Sequence, residues 1–140
     1  MINDYVNAEL MGAKKFHGHL GPYLVIGMRM GHLISSVLGD KPFSYRIHAS
    51  VGWNPPPSCV IDGLQLTTPC TVGNSMIRVE ELGDIEAWAK MDAREVKLRL
   101  IPQVRKRIDE ETTKENEETF AGEIWEAGIE ELFELHMSSS

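Results

Sequence analysis

A single α+β domain, with a mostly antiparallel sheet flanked by helices, is expected from three features of the chain. Short segments alternate polar and apolar residues with the period of half-buried strands. Longer stretches on either side repeat their apolar residues with helical spacing. The 140 residues, 42% of them hydrophobic and 25% charged, suffice for one soluble core without staples.

The first helix is predicted from Asn3, a good cap, with Ile2, Val6, Leu10 and Ala13 on one face. A loop containing His17-Gly18-His19 follows. Pro22 then suits the first turn of a second helix, whose end is marked by Gly39. Within it Gly27, Gly31 and Ser35 recur every four residues, leaving a shallow strip for a close backbone, within the chain or across a subunit boundary. Residues 46–53 alternate as a strand that Asn54-Pro55-Pro56-Pro57 stops. Residues 59–66 fit a short helix with Ser58 as its cap and Asp62 near the first turn. Strands are expected at 76–80, 85–90 and 95–101, separated by Leu82-Gly83-Asp84 and Asp92-Ala93. Phe120, Ile124, Gly128 and Leu132, beside Ala121, Trp125, Ile129 and Phe133, predict one docked terminal helix. Residues 1–137 thus form one domain, and 138–140 read as a disordered tail.

No apolar run approaches the roughly 18 residues that span a bilayer, and the N-terminus lacks the pattern of a signal peptide. A cytoplasmic protein with no membrane partner is expected, its two cysteines reduced. The net charge of −7 is divided: residues 109–140 hold 11 acidic side chains and one lysine, and residues 1–108 hold 13 basic against 10 acidic. No basic run carries interleaved aromatics, so nucleic acid is excluded as a partner. Arg105-Lys106-Arg107, running into Asp109-Glu110-Glu111, reads as a solvated face with local ion pairs.

The residues with chemical potential fall in two glycine- and proline-rich regions. His17, His19, Cys59 and Cys70 supply imidazole and thiolate donors suited to a divalent transition metal, zinc above all. Two histidines one residue apart point to opposite faces of an extended chain, so both can reach one ion only if Gly18 bends it. A second reading makes Cys59 a nucleophile, supported by a histidine and by Asp62 or Gln65, its thiol pKa lowered at a helix start. A third is a metal-free ligand-binding subunit whose cleft takes a small anionic ligand at the Pro22 helix start. His32 and His48 read as structural, and His136 is assigned no role.

Phe16-His17-Gly18-His19-Leu20-Gly21-Pro22, continuing through Leu24, Gly27, Arg29 and Gly31, resembles the opening motif of the FmdE family, which takes its name from a component of formylmethanofuran dehydrogenase. Cys59-Val60-Ile61-Asp62-Gly63-Leu64-Gln65, with Thr68-Pro69-Cys70-Thr71-Val72-Gly73, looks like its second motif. The resemblance implies an α+β core, commonly a homodimer, whose two motifs meet in a cleft able to hold a metal. It places His17, His19, Cys59 and Cys70 at the heart of that cleft, with Asp62, Gln65 and Thr71 as supporting groups. It also implies an accessory or metal-handling role beside the molybdenum or tungsten formylmethanofuran dehydrogenase, with subunits of that larger redox complex as partners. Many members have a cysteine where Gly21 stands here and a lysine where Asn74 stands. Many also carry a cysteine-rich zinc module, for which this chain, with two cysteines, has no counterpart.

Overall fold

The computed structural model describes residues 4–139. Ile2, Asn3 and Ser140, and with them the predicted first cap, lie outside that range. Six helices and one five-stranded sheet follow in the order α1 (Asp4–His17), α2 (Pro22–Leu38), β1 (Ile47–Ala49), α3 (Cys59–Thr67), β2 (Ile77–Val79), β3 (Glu86–Met91), β4 (Arg94–Leu100), α4 (Pro102–Glu111), α5 (Glu117–Glu126), α6 (Ile129–Leu132) and β5 (Phe133–Ser139). The sheet order is β2-β1-β3-β4-β5. Among the described residues only β1 and β2 pair in parallel, and every other pair is antiparallel. The α+β class expected from the alternating segments is the class observed.

One face of the sheet builds the core. Ile47 and Ala49 of β1, Ala87 and Ala89 of β3, and Val96, Leu98 and Leu100 of β4 are all buried, on the alternate positions that a pleated strand turns to one side. On the opposite face His48 and Trp88, directly paired across β1 and β3, stack with ring centroids 4.1 Å apart.

Helix α2 is the central strut. Pro22 stands in its first turn and Gly39, with φ of +89°, ends it as predicted. Its glycine stripe is consumed inside the chain, against α3. A Cβ on Gly27 would lie 2.2 Å from the Val60 carbonyl oxygen, and one on Gly31 would lie 1.8 Å from Thr67 Oγ1. Gly63 of α3 answers from the other side, where a Cβ would meet the Leu24 carbonyl oxygen at 2.4 Å. Three missing side chains thus bring the two backbones together.

The C-terminal segment departs from the expected single helix. Helix α5 ends at Glu126, Ala127 and Gly128 are extended, and only one turn, α6, follows before β5. Arg29 of α2 supplies the physical reason: its Nη1 donates to the carbonyls of Ile124, Trp125 and Ala127, which closes the open end of α5. Ser138 and Ser139, expected in a tail, extend β5 and pair with Glu95 and Arg94. Helix α4 is a further element that the strand and helix periodicities missed. Its basic triplet is not merely solvated, since Arg107 lies over the Phe120 ring, 4.6 Å from the centroid, and joins α4 to α5. Among the described residues no helix is long and apolar enough to cross a membrane.

Candidate metal centre

The start of α2, the start of α3 and the end of α1 meet at one place, and this meeting builds the site. His17 is the last residue of α1. Gly18 follows with φ of +106°, a conformation that a side chain would strain, and the chain reverses there so that His19 returns beside His17. The two imidazole rings lie 4.8 Å apart. Cys59, the first residue of α3, completes a group in which one donor atom from each of His17, His19 and Cys59 lies within 4.8 Å of the others. The bend required of Gly18 is present.

Each histidine is held by a carboxylate. His17 Nδ1 lies 2.6 Å from Asp62 Oδ2, and His19 Nδ1 lies 3.5 Å from Glu117 Oε2. Asp62 sits one turn into α3, three residues beyond Cys59, so the helix itself brings ligand and supporting acid to one face. Gln65 steadies Asp62, donating from Nε2 to its Oδ1 at 3.1 Å while accepting from Val72 N at 2.9 Å. His17 Nε2, across the ring from the carboxylate, is buried and has no hydrogen-bond partner. A carboxylate on Nδ1 selects the tautomer that leaves Nε2 with a free lone pair, the form in which imidazole binds metals. The donor set therefore fits a divalent ion of the zinc type, with three protein ligands and room for a fourth group.

Cys70 stands apart from this group. It is 1% exposed and its thiol donates to the Tyr45 carbonyl at 3.3 Å, a core contact rather than a ligand position. Thr71 also misses the site. Its Oγ1 accepts from Asn74 N, while its own N–H donates to Asn74 Oδ1, which locks the turn before β2. Ser58 makes no side-chain cap to α3.

The Cys59 thiol is pushed up, first by burial and then by the neighbouring Asp62 charge, opposite to the lowering expected from its helix start. A thiol held protonated at neutral pH is a poor nucleophile, which counts against the cysteine-enzyme reading. A bound cation would reverse this by displacing the proton. Glu117 could not be read from the sequence, because nothing in the acidic run distinguishes it from its neighbours until α5 turns it toward His19.

Comparison with known proteins gives the family and the fold of the chain. The family model described as "FmdE, Molybdenum formylmethanofuran dehydrogenase operon" matches residues 16–139. A solved structure of a tungsten formylmethanofuran dehydrogenase FmdE-like protein from Syntrophus aciditrophicus superposes with a TM-score of 0.65 at 22% identity, over 96% of this chain and 72% of that one. At that identity the likeness is one of fold. A probable S-adenosyl-L-methionine-binding protein of Archaeoglobus fulgidus is 35% identical over 79 residues, covering 53% of this chain. The match spans 21% of that relative's length.

Proposed function

Because the chain belongs to the FmdE family, we propose that it holds one divalent ion, zinc by preference, on His17, His19 and Cys59 and serves formylmethanofuran dehydrogenase chemistry as an accessory or metal-handling protein. The single observation that carries the metal is His17 Nε2, a buried lone pair with no partner, aimed by Asp62 on the other side of its ring. Leaving such an atom unsatisfied costs about 1–3 kcal/mol, which a cation at that position would recover. The ion would supply Lewis acidity and an open coordination position. Asp62 and Glu117 orient the two imidazoles, and Gln65 holds Asp62 in place. The link to the dehydrogenase rests on the family, and what the site does there is a matter of its donor set.

Protein purified without a nickel column and reconstituted with zinc tests this directly. About one ion per chain, lost with His17→Ala, supports the proposal, whereas less than about 0.1 ion per chain after reconstitution overturns it. The homodimer is kept as part of the proposal on the family resemblance alone, since the Gly27–Gly31 stripe is spent on α3. Light scattering at micromolar concentration should return twice the 15.7 kDa chain mass. A monomer mass would remove that part without touching the metal.

A further inference from the structure

A cavity of about 360 Å³ opens over the start of α3, with His17 and Cys59, two of the three metal donors, in its wall. Pockets that take small organic ligands span about 300–1,000 Å³ and join an apolar lining to a few polar groups. The apolar lining here is Trp53, Pro55, Ile61 and Val72. The polar part includes His17, whose Nε2 is buried without a partner. We propose that this cavity binds a neutral, planar heteroaromatic ring, with one face against the Trp53 indole and a ring nitrogen toward the donor group. The place of the nitrogen rests on the metal-centre reading; the place of the ring on Trp53 does not.

Trp53 selects for a flat ring. It is 64% exposed, just after Gly52 turns the chain with φ of +65°. Trp88 stacks on His48 and Trp125 meets His32 edge-on, whereas among the described residues Trp53 has no such ring partner. A single exposed apolar residue is ordinary on a protein surface. This one stands in the same wall as two metal donors, where a planar guest would cover the indole by offset stacking. The charged and amide groups of the wall select for a neutral guest. No lysine or arginine lines the cavity, and its one charged side chain is Asp62. An anionic head group would meet that carboxylate with no cationic side chain to balance it. An ammonium would find the carboxylate already committed, Oδ2 to His17 and Oδ1 to Gln65, while Gln65 Oε1 accepts from Val72 N. The lone pair that lacks a partner is the one on His17, which points to the metal and, through its open position, to a nitrogen donor on the guest.

The test is calorimetric titration of the full chain, zinc-loaded and metal-free, with benzimidazole, imidazole and benzoate. An aromatic pair is worth up to about tenfold in affinity beyond the area it buries. Trp53→Ala, at an exposed position, should therefore weaken benzimidazole about fivefold to tenfold and the smaller imidazole by less than about threefold. Trp53→Phe should restore most of the loss. Benzoate should bind at least about fivefold more weakly than benzimidazole, because of Asp62. With cobalt in place of zinc, benzimidazole should shift the visible bands as its nitrogen takes the open coordination position. An unshifted spectrum at saturation would overturn the placement of the nitrogen. No saturable benzimidazole binding in either form, equal effects of Trp53→Ala on benzimidazole and imidazole, or benzoate matching benzimidazole would each overturn the proposal. If zinc fails to bind while Trp53-dependent binding persists in the metal-free protein, the metal reading falls and the ring site stands. If zinc binds and the Trp53 dependence is absent, the ring site alone falls.

Discussion

Asp62 Oδ2 lies 2.6 Å from His17 Nδ1, and the nitrogen across the same ring is buried without a partner. The relay extends behind the carboxylate, because the Val72 amide holds Gln65 and Gln65 holds Asp62. Three side chains and one amide thus fix the direction of a single lone pair. The same contacts tie the end of α1 to α3, and they leave the buried nitrogen free to meet a ligand.

Asp62→Asn should therefore weaken zinc binding about 10- to 100-fold, the usual cost of losing a carboxylate behind a ligand histidine. Competition against a chromophoric chelator reads the affinity, and circular dichroism checks that the fold is kept. Unchanged affinity would mean that Asp62 is only a structural partner of His17.

The two cysteines should separate cleanly. Cys59→Ala removes one of the three donors and should lower zinc affinity by more than about 100-fold, given how much each ligand contributes to a site of this kind. Cys70→Ala should leave one ion per chain, because that thiol is spent on the Tyr45 carbonyl in the core. It should instead lower stability by about 1 kcal/mol, the ordinary net value of one hydrogen bond. Metal analysis and urea unfolding, run on both variants, distinguish the two roles. Loss of the ion in Cys70→Ala would restore the four-donor set of His17, His19, Cys59 and Cys70 expected from the sequence.

The local signals that succeeded were those whose cause is local. Pro22 and Gly39 bracket α2, and the alternation of Val96, Leu98 and Leu100 marks β4, because proline geometry and strand pleat act within a few residues. The run from Phe120 to Phe133 misled for a tertiary reason. Its apolar rows are continuous, but Arg29, almost a hundred residues earlier, takes the carbonyls that would have carried the helix onward. The site divides in the same way. His17, His19, Cys59 and Asp62 were legible, because glycine and helix spacing bring them together. Cys70 stands apart from that group because its place in the core depends on the segment leading into β1, and Glu117 cannot be singled out until α5 docks on α2.

The glycine contacts give an opposed pair of stability predictions. Gly27→Ala places a methyl group 2.2 Å from the Val60 carbonyl oxygen, so α2 and α3 must separate. Overpacking of this kind costs typically about 1–3 kcal/mol. Gly122 lies in α5 with nothing within 4 Å of its missing Cβ. Gly122→Ala should stabilise by about 0.5–1 kcal/mol through helix propensity. Chemical unfolding of the two variants should move the midpoint in opposite directions, and a neutral Gly27→Ala would refute the close crossing of α2 and α3.

Two buried tyrosines predict an alkaline limit to stability. Burial is the main cause that pushes both Tyr23 and Tyr45 up, reinforced by Asp109 for the first and by Cys70 and Asp40 for the second. In the unfolded chain each ionises near 10. Above that pH the unfolded state has released protons that the folded state still holds, so stability falls as pH rises; below it their contribution is complete. Tyr23→Phe with Tyr45→Phe removes both groups from this balance. The double variant also loses the bonds to Asp109 and to the Gly39 carbonyl, so it should be less stable than the parent by about 1–3 kcal/mol at neutral pH. Its stability should nevertheless decline less steeply between about pH 9.5 and 11.5 than the parent's, a window set by the unfolded value. Thermal unfolding across that range reads both quantities. Parallel pH profiles for parent and variant would show that the alkaline loss comes from other groups.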